Sequence, residues 1–291
     1  MCAGLGMAVI AFFCLIGPVS SGVKADLPAP RVVKQGSVIA LTFPLKAGEP
    51  GNAPIVGRFQ GREVPTFTTP DGVGVLLGVD MDDPPGPADF VLEIPGAAHP
   101  RILDRVPVTV ASGDFGVETL TLPKAQVDLD ETTLKRVREE QQTALAVMQP
   151  VTPRLWEGNF VVSVVGTPRG TFGQRRVING EPRQPHNGED ISAPLGTPVV
   201  ATNRGIVRMV AEQFFSGNSV IIDHGLGLYS MYFHLATTAV KPGDEVQRNQ
   251  VIGTVGATGR ASGPHLHWGV RLNGARVNPL SLSAIQFPVT P

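Results

Sequence analysis

Apolar residues along most of this chain fall in short runs, many alternating with polar ones, and turn formers separate the runs. Alternation sends successive side chains to opposite faces of an extended segment, so such runs predict short, half-buried strands rather than helices. Between residues 27 and 112 the predicted strands are 36–43, 74–79, 90–94 and 106–110, punctuated by signals such as Asp83-Pro84-Pro85-Gly86. Their spacing is that of a β-sandwich. From about residue 155 onward the chain reads as all-β, with strands at 197–202, 205–211, 219–223, 228–234, 251–255 and 265–272. The turn Lys241-Pro242-Gly243-Asp244 places Pro and Gly where a type II turn needs them. Gly256, Gly259 and Gly263 punctuate the loop before His265, where close approach of backbone to a ligand is an alternative to a plain loop role.

One segment breaks the β pattern. After Asp128 or Asp130, either of which can cap a helix, Leu134, Val137, Leu145 and Met148 recur at near-helical spacing until Gln149-Pro150 stops the run. Its charged residues, Lys135, Arg136, Arg138, Glu139 and Glu140, form a solvated face. The expected fold class is mainly β: an N-terminal β-sandwich-like domain (26–112), a linker with a helix (113–154) and a C-terminal antiparallel β-sheet domain (155–291).

Composition narrows the picture. With 27 Pro and 34 Gly, short strands and turns are favoured, and a net charge of −1 without a basic block gives no support for nucleic acid as a partner. Residues 1–23 carry no charge, and Val23-Lys24-Ala25 before Asp26 reads as a secretory cleavage site. Residues 1–25 are therefore expected to be a signal peptide, with an uncleaved N-terminal anchor touching the membrane through residues 1–23 as the alternative. Either way the remainder is exported, to the periplasm or cell envelope. Both cysteines, Cys2 and Cys14, lie in this segment, so any metal held by the rest relies on His and carboxylate alone.

Such a donor set is present. Of the six histidines, three fall in His186-x-x-x-Asp190 and His265-x-His267, and His234 lies between these motifs. Pro185 and Gly188 argue against a helix there, so the first pair is read in an extended or turning segment. In a strand His265 and His267 project to the same side, roughly 6.5–7 Å apart. Two imidazoles and a carboxylate with a fourth position open make a catalytic zinc centre. Spacing alone does not say which of His265 and His267 binds the metal. Alternation places Tyr232 and His234 on one side of their strand, Tyr232 packing against a neighbour strand. His224 is read as a hydrogen-bonded strand-end residue and His99 as a surface loop residue.

The segment from about Phe172 to Asn278 resembles the lysostaphin-type (LytM-like) zinc metallopeptidases of bacterial peptidoglycan. The resemblance rests on Phe172-Gly173-Gln174-Arg175-Arg176, His186-Asn187-Gly188-Glu189-Asp190-Ile191-Ser192-Ala193-Pro194, Ile222-Asp223-His224-Gly225, Tyr232-Phe233-His234-Leu235, Pro242-Gly243-Asp244 and Gly263-Pro264-His265-Leu266-His267, in that order. It implies Zn2+ held by His186, Asp190 and His267, with His234 and His265 as catalytic imidazoles. The implied partners are peptidoglycan stem peptides and cross-links; nothing implies an oligomeric state. Some members carry a tyrosine shortly before the first ligand; here Asn179-Gly180-Glu181-Pro182-Arg183 has none, and that oxyanion role falls to the histidines rather than Arg183. The alternative is a non-catalytic member that binds peptidoglycan or activates a hydrolase. A biotinyl- or lipoyl-type carrier is unsupported, because no lysine follows Lys241.

Overall fold

The computed structural model describes residues 1, 31–45, 54–70, 72–96, 98–121 and 127–287. The expected leader, both cysteines included, lies outside the described residues apart from Met1. Seven strands form the N-terminal sheet: β1 (Arg31–Lys34), β2 (Val38–Pro44), β3 (Val56–Phe59), β4 (Arg62–Thr69), β5 (Gly72–Gly78), β6 (Gly86–Ile94) and β7 (Arg101–Ala111). Their order is β1-β7-β6-β3-β4-β5-β2. Strand β4 changes partner midway: Arg62–Pro65 pair with β3 and Thr66–Thr69 with β5. The two arms joined by β4 bury one core, in which Leu41, Phe43 and Leu77 meet Phe59, Phe90 and Val108. The four strands predicted here are present; β1, β3 and β4 are additional.

The linker does more than connect. Strand β8 (Val117–Leu120) pairs in parallel with β10 (Arg175–Ile178), whose other edge carries β11 (Glu181–Arg183). Helix α1 (Glu131–Val147) then begins at Asp130, whose carboxylate accepts the Thr133 N–H at 2.7 Å, satisfying one of the orphan donors of the first turn. Its buried face differs from the expected one. Val137 is buried, but Leu134 and Leu145 are 38% and 45% exposed. Ala144, Val147 and Met148 instead pack on Met209, Ile221, Tyr229 and Met231. Val137, Ala144 and Met148 lie seven and four residues apart and share one helical stripe, from which the leucines deviate.

The C-terminal sheet has ten strands, and every pairing within it is antiparallel. Its main path runs β17 (Glu245–Val246), β14 (Gly205–Gln213), β15 (Gly217–Gly225), β16 (Leu228–Thr238), β19 (His265–Leu272), β12 (Gly188–Ser192) and β9 (Thr167–Pro168). Strands β13 (Pro198–Val200), β18 (Val251–Val255) and β20 (Ala275–Val277) pair off this path. One face buries Ile191, Val220, Tyr232, Leu266 and Trp268, and the other carries Asp190, Phe233 and His267. The all-β expectation fails at one place: α2 (Pro279–Ser283) closes the chain, with the Asn278 side chain accepting the Leu280 N–H and Pro at the first helical position.

A third core joins the two sheets, Val38, Leu76 and Phe67 on one side meeting Trp156, Val270, Leu272 and Val277 on the other. Arg276 spans the same seam, reaching Asp80 at 2.6 Å and Asp82 at 2.7 Å.

Candidate metal centre

Strand register brings the two motifs together. Asp190 on β12 lies directly opposite His267 on β19, and His267 lies opposite Phe233 on β16. Paired residues project to the same face, so a carboxylate, an imidazole and an aromatic ring line one row across three strands. The Phe233 ring stacks on His267 with centroids 5.3 Å apart and planes 5° from parallel. His186 sits just before β12 and reaches the same point, its ring centroid 4.7 Å from that of His267. Room for this exists because residue 188 is glycine: a Cβ there would stand 2.5 Å from Nε2 of His267.

Three donor atoms converge. Nε2 of His186 is 2.9 Å from Nδ1 of His267 and 3.2 Å from Oδ1 of Asp190, which is 3.0 Å from Nδ1 of His267. All three residues are buried, and their donors lie within 4.8 Å of one another. Ligands placed tetrahedrally at about 2.0–2.1 Å from zinc would be separated by about 3.3 Å. Lone pairs this close need a shared proton or a cation, so the donor set fits a metal ion. Burial would raise the Asp190 carboxyl, but the contacts with His186 and His267 outweigh it and hold it far below the usual carboxylate range. Burial pulls His267 down to about 4 despite the opposing contact with Asp190, so its imidazole is neutral at pH 7, as a metal ligand must be.

The other two histidines stand beside this centre. Nε2 of His265 lies 3.8 Å from Oδ1 of Asp190, and its Nδ1 is 2.7 Å from the carbonyl of Gly263. His234 brings its ring to 4.8 Å from that of His265, with Nδ1 2.9 Å from the carbonyl of Thr258. A carbonyl can only accept, so in each ring Nδ1 carries the hydrogen and Nε2 is free. Burial lowers His234 to about 4, against the opposing pull of the Thr258 bond.

His234 reaches the site by departing from the expected alternation. Tyr232 points into the core, its hydroxyl accepting the Thr202 N–H at 3.0 Å, so simple alternation would bury His234 with it. The backbone of His234 instead adopts φ +62°, and the register with β15 shifts just there, turning the imidazole to the opposite face. A non-glycine residue in this region is uncommon and strained, and here the strain sets the ring beside His265 and the metal-type donors.

Several supporting residues carry no sequence signal. The carbonyl of Thr171 lies 3.1 Å from Nδ1 of His186, and its hydroxyl accepts the Asp190 N–H at 2.9 Å. Glu189, itself buried, holds that loop by accepting the N–H groups of Gly170 and Phe172. Only the capping type of chemistry, a carboxylate beside free backbone N–H groups, hints at such a role. Arg183 is exposed on β11, opposite Arg176. His99 is exposed, and His224 is buried away from this face with both ring nitrogens bonded, to Arg204 O at 2.8 Å and Ser230 Oγ at 2.7 Å.

The description "Peptidase family M23" matches residues 184–279, the stretch containing every histidine of the centre. A peptidoglycan DD-endopeptidase, ShyA, of Vibrio cholerae is 44% identical over 96 residues, 33% of this chain and 22% of that protein. The DD-carboxypeptidase/endopeptidase Mpg of Neisseria meningitidis is 43% identical over 98 residues, 34% and 23% respectively. The similarity thus spans less than a quarter of the length of these curated relatives. A crystal structure of a Pseudomonas aeruginosa protein assigned to peptidase M23 matches far more: 86% of this chain and 94% of that one, at 31% identity and a TM-score of 0.65. A likeness that extends over both sheets, together with the matched region around the histidines, establishes that the chain belongs to peptidase family M23.

Proposed function

We propose that this protein is a zinc-dependent endopeptidase that hydrolyses peptide cross-links of bacterial peptidoglycan. One observation carries the reading: three buried metal-type donors meet at 2.9–3.2 Å while two further imidazoles present free Nε2 atoms beside them. His186, Asp190 and His267 would hold Zn2+. When bound, zinc would acidify water and polarise a carbonyl. The chain's own groups do the rest. His265 and His234, each locked in the tautomer that leaves Nε2 unprotonated, can take a proton from the attacking water. The same imidazoles, once protonated, can hold an oxyanion and return the proton to the leaving amine. The carbonyls of Gly263 and Thr258 keep these rings from rotating away. Phe233, flat on His267, packs one face of that ring and helps to hold its orientation.

Export, with a cleaved leader over residues 1–25, belongs to this reading, since the substrate lies outside the cytoplasm. So does the division into an accessory β domain (26–112), a helical linker (113–154) and the peptidase domain (155–291). A non-catalytic, wall-binding member is less well supported, because neither a metal-type ligand nor a free imidazole is lacking. The cross-link between D-alanine and diaminopimelate is the favoured bond; the Vibrio and Neisseria relatives are named as a DD-endopeptidase and a DD-carboxypeptidase/endopeptidase. Purified protein incubated with sacculi and zinc should release muropeptides of un-cross-linked mass, and a chelator should stop the release. Binding without any change in muropeptide mass would overturn the enzymatic reading.

A further inference from the structure

The three-stranded sheet beside the centre carries a charge arrangement that the hydrolytic groups do not use. Arg176 and Arg183 are direct cross-strand partners on β10 and β11, a placement that costs stability when like charges face each other. On the far side Glu118 of β8 takes up Arg176, with Nε to Oε2 at 2.9 Å. Arg183 is left over. Arg260 lies in the loop between β18 and β19, held by its own N–H to the Phe215 carbonyl at 2.9 Å. Its guanidinium lies 4.1 Å from the Phe215 ring centroid. Among the described residues no carboxylate pairs with Arg183 or Arg260. Burial lowers Arg260, and the nearby charges of Arg176 and Arg183 lower it further, so the three cations feel one another.

Both cations border the site through its own supports. The β10–β11 hairpin ends three residues before His186, whose N–H and C=O bond Gln174 and Gly173 at its base. The Arg260 loop supplies Thr258 O and Gly263 O, the carbonyls that fix His234 and His265. Arg183 thus sits on the segment that leads into a metal-type donor, and Arg260 on the loop that fixes the two flanking imidazoles. Exposed arginines usually just face water, but a stacked guanidinium has already lost much of its freedom and binds a carboxylate at lower entropic cost.

We infer that Arg183 and Arg260 form a carboxylate-recognition site that selects acidic peptide substrates, those with a free carboxylate next to the bond to be cut. This rests on the peptidase reading above and adds a substrate class to it. The test uses the full chain loaded with zinc and two synthetic cross-linked stem peptides, one with a free side-chain carboxylate and one amidated there. The expected result is a preference for the free acid that each of Arg183→Gln and Arg260→Gln lowers about ten-fold, through KM, as loss of a charge-assisted bond implies. Turnover of the amidated peptide should stay within about two-fold of wild type. Arg183→Lys and Arg260→Lys, which keep charge but lose the planar fork, should recover part of the preference. Slowing of both peptides equally, or of neither, would overturn the inference. Calorimetric binding of a free-acid stem tetrapeptide separates the two readings. Arginine-dependent binding without cleavage sinks the peptidase assignment alone, whereas cleavage indifferent to the arginines sinks only the recognition site.

Discussion

Buried histidine flanks strand β16 at both ends, and the two ends differ in one respect. At one end His224 has both nitrogens bonded by protein, to Arg204 O and Ser230 Oγ, with the Phe160 ring set edge-on at 6.2 Å. At the other, His234 and His265 are bonded only through Nδ1, and His186 and His267 turn a nitrogen toward a carboxylate. Burial is common to both ends. What distinguishes the two ends is the nitrogen that the protein leaves unpaired, the arrangement that the proposed chemistry requires.

That contrast can be tested by substitution, beginning at the reactive end. His267→Ala removes a donor of the centre and should abolish both zinc binding and muropeptide release, read by metal analysis and by mass. His265→Ala should retain zinc yet lose turnover by roughly 10²–10⁴-fold, the usual worth of a positioned acid–base group. Equal zinc loss in both variants would erase the division of labour between the two imidazoles. Glu189→Gln comes next. An amide would aim N–H at one of the two backbone N–H groups the carboxylate now accepts, loosening Thr171 behind His186. Zinc affinity, measured by competition with a chelator, should fall about ten-fold, as for other outer partners of metal ligands. An unchanged affinity with a lowered melting temperature would reduce Glu189 to scaffolding.

The smallest kinetic effect belongs to the structural end. His224→Gln should leave kcat within experimental scatter and act on stability, with a sign that comes from its titration. Burial holds His224 at about 4 against an ordinary 6.5, so between these values the unfolded chain binds more protons than the folded one. Folding free energy should therefore drop as pH falls from about 6.5 to 4, by up to about 3 kcal/mol from this residue, and level off below. In urea titrations the variant, less stable at pH 7.5, should close its gap with wild type by pH 4.5. A constant gap would mean that His224 does not titrate as its burial implies.

Sequence patterns disclose the two halves unevenly. His265 and His267 are legible because strand alternation turns an i, i+2 spacing into a shared face, and β19 begins and ends where its pattern does, while His186 is legible from its closeness in sequence to Asp190 although it lies just ahead of β12. His234 can be named but not aimed: its orientation depends on one left-handed dihedral and a register shift, neither of which alternation encodes. The face of α1 is misjudged when leucine is weighted over alanine, whereas close approach to Met209 and Met231 selects the small side chain. Helix α2 has its signal in Asn278-Pro279, but five residues are too few to show a period. Pairing of β8 with β10 joins residues nearly sixty positions apart, which no local pattern can reveal.

That last pairing bears on how the molecule can be divided. Cutting the chain at the apparent end of the linker and keeping only residues 155–291 would strip β10 of its flank, along with Glu118, the counter-ion of Arg176. The bared edge would expose unpaired N–H and C=O groups next to the hairpin that leads into His186, inviting self-association. A minimal fragment that keeps this wall of the centre should therefore start upstream of Val117, so that part of the apparent spacer is retained.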